Sequence, residues 1–90
     1  MKKAIVTVIG KDRVGIIAQV CALLSEEKVN VLDISQTVMR EYFTMIMLVD
    51  VSELEVSFDE LSKKLRECGE KEGLSIRIQR EEIFNAMHRI

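Results

Sequence analysis

The stretch Gly10-Lys11-Asp12-Arg13-Val14-Gly15, followed directly by Ile16-Ile17, is where this chain is best equipped to hold a small charged ligand. It joins the β-branched run Ala4 to Ile9 to a segment with helical apolar spacing. A helix starting here exposes unpaired N–H groups and the positive end of its dipole, which suit a carboxylate or another small anion. Gly15 permits close backbone approach, Asp12 offers a partner for an ammonium group, and Lys11 and Arg13 add positive charge. Two glycines also serve a tight turn and close helix packing, so the loop alone leaves both readings open. A second polar set lies further on, where Asp33, Ser35 and Thr37 alternate with Leu32, Ile34 and Val38. In a strand this parity sends the first three to one face and the apolar three toward a core. Gln36 falls on the apolar side, where a buried amide needs a partner such as the Asp12 loop or a ligand. The alternative is the solvent face of an edge strand, on which polar residues guard against aggregation.

Other chemistries lack their parts. Gly10-x-x-x-x-Gly15 is followed by Ile16-Ile17, where a phosphate loop requires Lys-Ser/Thr. Cys21 and Cys68 form no Cys-x-x-Cys pair and sit in apolar helical patterns, so they read as reduced core thiols and neither as a metal nor as a redox site. His88 is the sole histidine and stands near the end of a terminal helical segment, where it matches the helix dipole better than it serves as a general base. No catalytic constellation emerges, and a non-enzymatic protein without metal or cofactor is expected. The charge balance of 13 basic against 15 acidic residues, net −2, contains no basic run, and aromatics are 4%. Counterion release and base stacking are therefore weak, which argues against direct nucleic-acid binding. No apolar stretch approaches the ~20 residues of a membrane span. Met1-Lys2-Lys3 precedes only a short apolar run. A soluble, cytoplasmic protein is expected.

The elements that position the loop follow from periodicity. Ala4 to Ile9 reads as a central strand buried on both faces, and Ile16 to about Lys28 as a helix with an apolar stripe of Ile16, Ile17, Val20, Cys21, Leu23 and Leu24. Val29 to about Met39 and Tyr42 to Val51 read as strands joined through Arg40-Glu41. Ser57-Phe58-Asp59-Glu60 fits a capping box, opening a helix that ends near Glu72 with Gly73 beyond it. Leu74, Ile76 and Ile78 alternate with Ser75, Arg77 and Gln79 in a fourth strand, and Glu81 to Ile90 is a short amphipathic helix with Ile83, Phe84, Met87 and Ile90 on one face. The order predicts an α+β, ferredoxin-like βαββαβ sandwich: a four-stranded antiparallel sheet with two helices on one face. A chain of 90 residues forms one domain, here a core of about 3–80 and a tail of 81–90.

The run Val8-Ile9-Gly10-Lys11-Asp12-Arg13-Val14-Gly15-Ile16-Ile17, with Asn30-Val31-Leu32-Asp33-Ile34-Ser35-Gln36-Thr37 and the element order, resembles an ACT domain over nearly all of residues 1 to 80. It is most similar to short stand-alone prokaryotic ACT proteins, and also to the ACT regions of glycine-cleavage repressors and formyltetrahydrofolate deformylases. The resemblance implies side-by-side association and, in many members, an amino acid held between two domains. Carried onto this chain, the implied ligand residues are Asp12, Arg13, Val14, Gly15 and Ile16, with Asn30, Asp33 and Ser35. The expectation is a regulatory homodimer that binds a small molecule. The alternative is an interaction module that binds a protein partner and no metabolite.

Overall fold

The β-branched run at the start of the chain forms β1 (Lys3–Lys11), and the elements that follow are α1 (Ile16–Glu26), β2 (Asn30–Met39), β3 (Tyr42–Asp50), α2 (Phe58–Glu72) and β4 (Ser75–Arg80). The computed structural model describes residues 2–11 and 15–82, apart from the side chain of Ile16. The sheet order is β2-β3-β1-β4 with every neighbouring pair antiparallel, so the expected ferredoxin-like fold is present. Of the terminal helix expected over 81–90, Glu81 and Glu82 are helical and the remainder lies outside the described residues.

One layer of core holds this fold. Ala4, Val6 and Val8 of β1, Met45, Met47 and Val49 of β3, Val20 and Leu24 of the first helix and Leu61 and Leu65 of the second are fully buried. Cross-strand partners share a face in an antiparallel sheet, and the register pairs Val6 with Met47 and Ile78, so this face is the helix side. The other face carries Ile5, Thr7 and Ile9, which pair with Leu48, Ile46 and Thr44. Here the expectation of a strand buried on both faces is corrected: Ile9 is 48% exposed, because α1 and α2 both pack on the other face.

β2 requires a second correction. Its parity is as expected, since Ile34 and Val38 pair with the buried Met47 and Phe43. They are not core residues, however, being 39% and 58% exposed. β2 is an edge strand, and the helices leave Ile34 and Val38 uncovered. Leu32 sits at a β-bulge between Val31 and Asp33, and it too stays exposed. Gln36 lies on the helix side as parity requires, but in an exposed position that imposes no demand for a partner.

The helices differ at their ends. α2 is capped by the Ser57 hydroxyl, which accepts the Glu60 N–H at 3.1 Å, with Asp59 and Glu60 complementing the dipole in its first turn. It ends at Gly73, whose φ of 71° lies in the left-handed region. α1 stops at Glu26, two residues before the expected Lys28, because Lys28 itself turns left-handed with φ 60°. The Val29 N–H then donates to the Leu24 carbonyl at 2.8 Å and starts the chain toward β2.

The end of β3 ties down the start of β1. The Asp50 carboxylate accepts the Ser52 hydroxyl at 2.6 Å and the Ser52 N–H at 2.9 Å. The Ser52 hydroxyl oxygen accepts the Lys2 N–H at 2.8 Å. Donation by the Ser52 hydroxyl, and next by its N–H, holds the Asp50 carboxyl below its usual range. A depressed folded value means that this stabilisation is complete above the ordinary aspartate value of about 4 and fades as pH falls through the folded value. Asp50→Asn is therefore expected to flatten the acid limb of a Tm-against-pH curve below pH ~4. An unchanged acid limb would refute the role.

Candidate functional site

The start of α1 is formed by Gly15, with φ 86° and ψ −5°. This left-handed conformation is cheap only for glycine, and an ideal Cβ there would meet nothing within 4 Å. The position therefore needs glycine for its backbone, and among the described residues nothing crowds it. Gly15 has no side chain to cap the helix, and the first turn of α1 holds no acidic residue, whereas the first turn of α2 is closed by Ser57, Asp59 and Glu60. Of the two helix starts, the first is thus the one suited to an anion. Asp12, Arg13 and Val14 lie outside the described residues. Ile16 is the first residue of α1.

β2 runs in the same direction as β1, since both are antiparallel to β3. Gly15 therefore lies beyond the end of the sheet where Met39, Tyr42 and Lys11 meet. Asn30 begins β2 at the opposite end, about 30 Å away at ~3.3 Å per residue. Asp33 and Ser35 pair with Leu48 and Ile46 and so occupy the open face, while α1 packs on the other face. Asn30 shares that open face with Asp50, because the bulge at Leu32 resets the alternation before Asp33. Within one protomer, then, Gly15 and the set Asn30, Asp33 and Ser35 are not brought together. Ile34, Gln36 and Val38 are the β2 residues on the same side of the sheet as α1.

Two clefts lie away from this loop. One of about 610 Å³ sits at the opposite end of the sheet, with Lys2, Lys3 and Arg80 beside Leu54, Val56 and Phe58. Its Arg80 guanidinium stacks 4.4 Å from the centre of the Phe58 ring. The other, of about 450 Å³, runs between α2 and the outer edge of β4. No motif marks either in the sequence, because their walls come from separated segments. No cluster of metal-ligating side chains occurs among the described residues, and no described helix is long and apolar enough to cross a membrane.

The whole chain has close relatives. It is 62% identical over 88 residues to a UPF0237 protein of Clostridium acetobutylicum, an alignment covering 98% of this chain and 99% of that one. An ACT domain protein from Streptococcus pneumoniae superimposes with a TM-score of 0.81 at 42% identity, over 97% of this chain and 98% of the other. The regulatory subunit of aspartate kinase from Thermus thermophilus, in its ligand-free form, shares the fold with a TM-score of 0.67 at 24% identity, over 87% of this chain and 50% of that one. The sequence pattern that defines the ACT domain matches residues 2–79. With this match added to the βαββαβ order and the strand order β2-β3-β1-β4, the chain belongs to the ACT domain family.

Proposed function

We propose that this protein is a non-catalytic, cytoplasmic regulator that forms a homodimer along β2 and binds a small ligand, an amino acid by preference, in the seam. The observation that carries the reading is the β2 edge. It is ten residues long, has no strand beyond it among the described residues, and exposes Ile34 and Val38 on the helix side of the sheet. A long edge of this kind is a template for pairing with another strand. Pairing β2 antiparallel with its own copy reverses the strand across the seam. That reversal carries the partner's Asn30–Asp33 end toward the Gly15 end of the first protomer, which closes the lengthwise part of the separation within one chain. In this arrangement the Gly15 turn receives the ligand carboxylate. Asp12, Arg13, Val14 and Ile16 are the further ligand residues of this proposal. Gln36, on the helix side with α1, supplies an amide to the seam, whereas Asn30, Asp33 and Ser35 stay on the open face, because a two-fold perpendicular to the sheet exchanges ends and keeps faces.

The test is a thermal-shift screen against the amino acids. A ligand at 100 times its Kd stabilises by about 2.7 kcal/mol, which for a domain of this size raises Tm on the order of 10 °C. No shift with any amino acid, together with an unchanged mass on Val38→Glu, would overturn the reading. The exposed apolar residues Leu32, Ile34 and Val38 also favour a second reading, a surface for a different protein without a metabolite. It predicts no thermal shift and a stable complex with that protein, lost on Val38→Glu.

A further inference from the structure

We infer that the open face of the sheet is a second self-association surface, on which another copy of this chain stacks face to face. The inference concerns a different surface from the β2 edge and goes beyond the ligand seam. The centre of the face is apolar: Ile5, Ile9, Ile46 and Leu48 lie on the two middle strands, with Ile9 and Ile46 48% and 39% exposed. Polar rows flank them, with Asp33, Ser35 and Thr37 on β2 and Ser75, Arg77 and Gln79 on β4. Four strands at ~4.8 Å spacing, six to ten residues long, give a face of about 19 by 28 Å. Two such faces bury roughly 1,100 Å², above the ~1,000 Å² expected of a specific interface.

The register identifies the occupant as a second copy. Two aligned sheets stacked as identical partners are related by a two-fold axis in the plane between them, either along the strands or across them. The axis along the strands lays β2 over the partner's β4 and β3 over its β1, level by level. The levels come from the pairing: Asn30-Asp50-Lys3 in one row, Asp33-Leu48-Ile5-Gln79 in the next, then Ser35-Ile46-Thr7-Arg77. Leu48 then meets the partner's Ile5, Asp50 meets its Lys3, and Arg77 of the partner falls among Ser35 and Asp33. Each opposite-charge contact occurs twice by symmetry. The axis across the strands would set Arg77 on Arg77 and Asp33 on Thr37, while both orientations keep the apolar centres together. The charges Asp33 and Asp50 against Arg77 and Lys3 are thus complementary in one orientation.

The edge two-fold stands perpendicular to the sheet at β2 and does not meet the stacking axis. With both contacts engaged the assembly extends without closing. Light scattering of the full chain over a range of concentrations tests this. The expected result is a mass above the dimer that rises with concentration. Ile46→Glu and, separately, Arg77→Glu change only open-face residues and should leave the dimer held by the β2 edge. Val38→Glu should leave the stacked dimer, and Ile46→Glu with Val38→Glu a monomer. Unchanged mass in both Ile46→Glu and Arg77→Glu would overturn the stacking. Unchanged mass in Val38→Glu would remove the edge reading and leave the stack standing. Stacking seen only after residues 83–90 are removed would assign the face to the chain's own end and overturn the proposal.

Discussion

Gly69→Ala is expected to destabilise the protein by about 3 kcal/mol, lowering Tm on the order of 15 °C. On helix propensity alone the sign should be opposite, since alanine is favoured over glycine in a helix interior by about 1 kcal/mol. What reverses it is the contact between α2 and the chain entering β4. An ideal Cβ on Gly69 would lie 2.7 Å from the Leu74 carbonyl oxygen, 3.1 Å from Ile76 Cγ1 and 3.2 Å from the Ile76 nitrogen. Two of these are backbone atoms, so no rotamer change relieves them, and either the helix or the strand must move. The same junction is held by the Leu74 N–H, which donates to the Gly69 carbonyl at 2.8 Å. Leu74 in turn lies over Gly10, where a Cβ would collide with its Cδ2. Gly73→Ala is the control. It meets nothing within 4 Å, so its cost is limited to the left-handed backbone at φ 71°, about 1–2 kcal/mol. Urea denaturation of the two variants reads the difference. A Gly69→Ala protein as stable as the wild type would show that α2 does not pack this closely on β4.

Gly69 also marks the limit of what periodicity conveys. A glycine inside a helical pattern looks like a weakness, and nothing local reveals that a strand backbone lies against it. Features encoded by near neighbours were legible: the Ser57 cap, the Gly73 stop, the alternation of β4 and the turn at Arg40-Glu41, where Arg40 adopts φ 57°. Features set by what lies across the sheet were not. Ile34 and Val38 carry the signature of a core strand, yet the helices leave them uncovered. The bulge at Leu32 also has no local cue, and without it Asn30 and Asp33 would face opposite sides. The site was legible in the same uneven way. Gly15 was identifiable as a special backbone position from its place between strand and helix. The parity of β2 already separated Asp33 and Ser35 from the helix side. Which end of β2 adjoins Gly15 depends on the strand order, which emerges only when four segments pair.

Gly15→Asp is expected to abolish binding of a carboxylate ligand, with affinity falling at least ~100-fold, while the protein still folds. The two halves of that expectation have separate causes. Space is available, since a Cβ at Gly15 meets nothing within 4 Å, so the fold bears only the conformational cost of φ 86°. Asp and Asn tolerate this region better than other residues, and the cost stays near 1–2 kcal/mol. The binding loss arises from charge. A carboxylate on residue 15 occupies the free N–H groups of α1 and neutralises the positive dipole end that the proposed ligand requires. Two effects of about 1–2 kcal/mol each, a lost charge-assisted hydrogen bond and a new like-charge repulsion, multiply to about that factor of 100. Gly15→Asn separates charge from backbone strain, because it carries the same conformational cost and no negative charge. Its amide oxygen still occupies the helix N–H groups, so it should lose only about tenfold, the share that does not come from like-charge repulsion. Calorimetric titration with whichever amino acid raises Tm in the wild type measures all three proteins. Equal losses in the two variants would mean that the Gly15 turn acts through its shape, and the case for an anion at the head of α1 would fail.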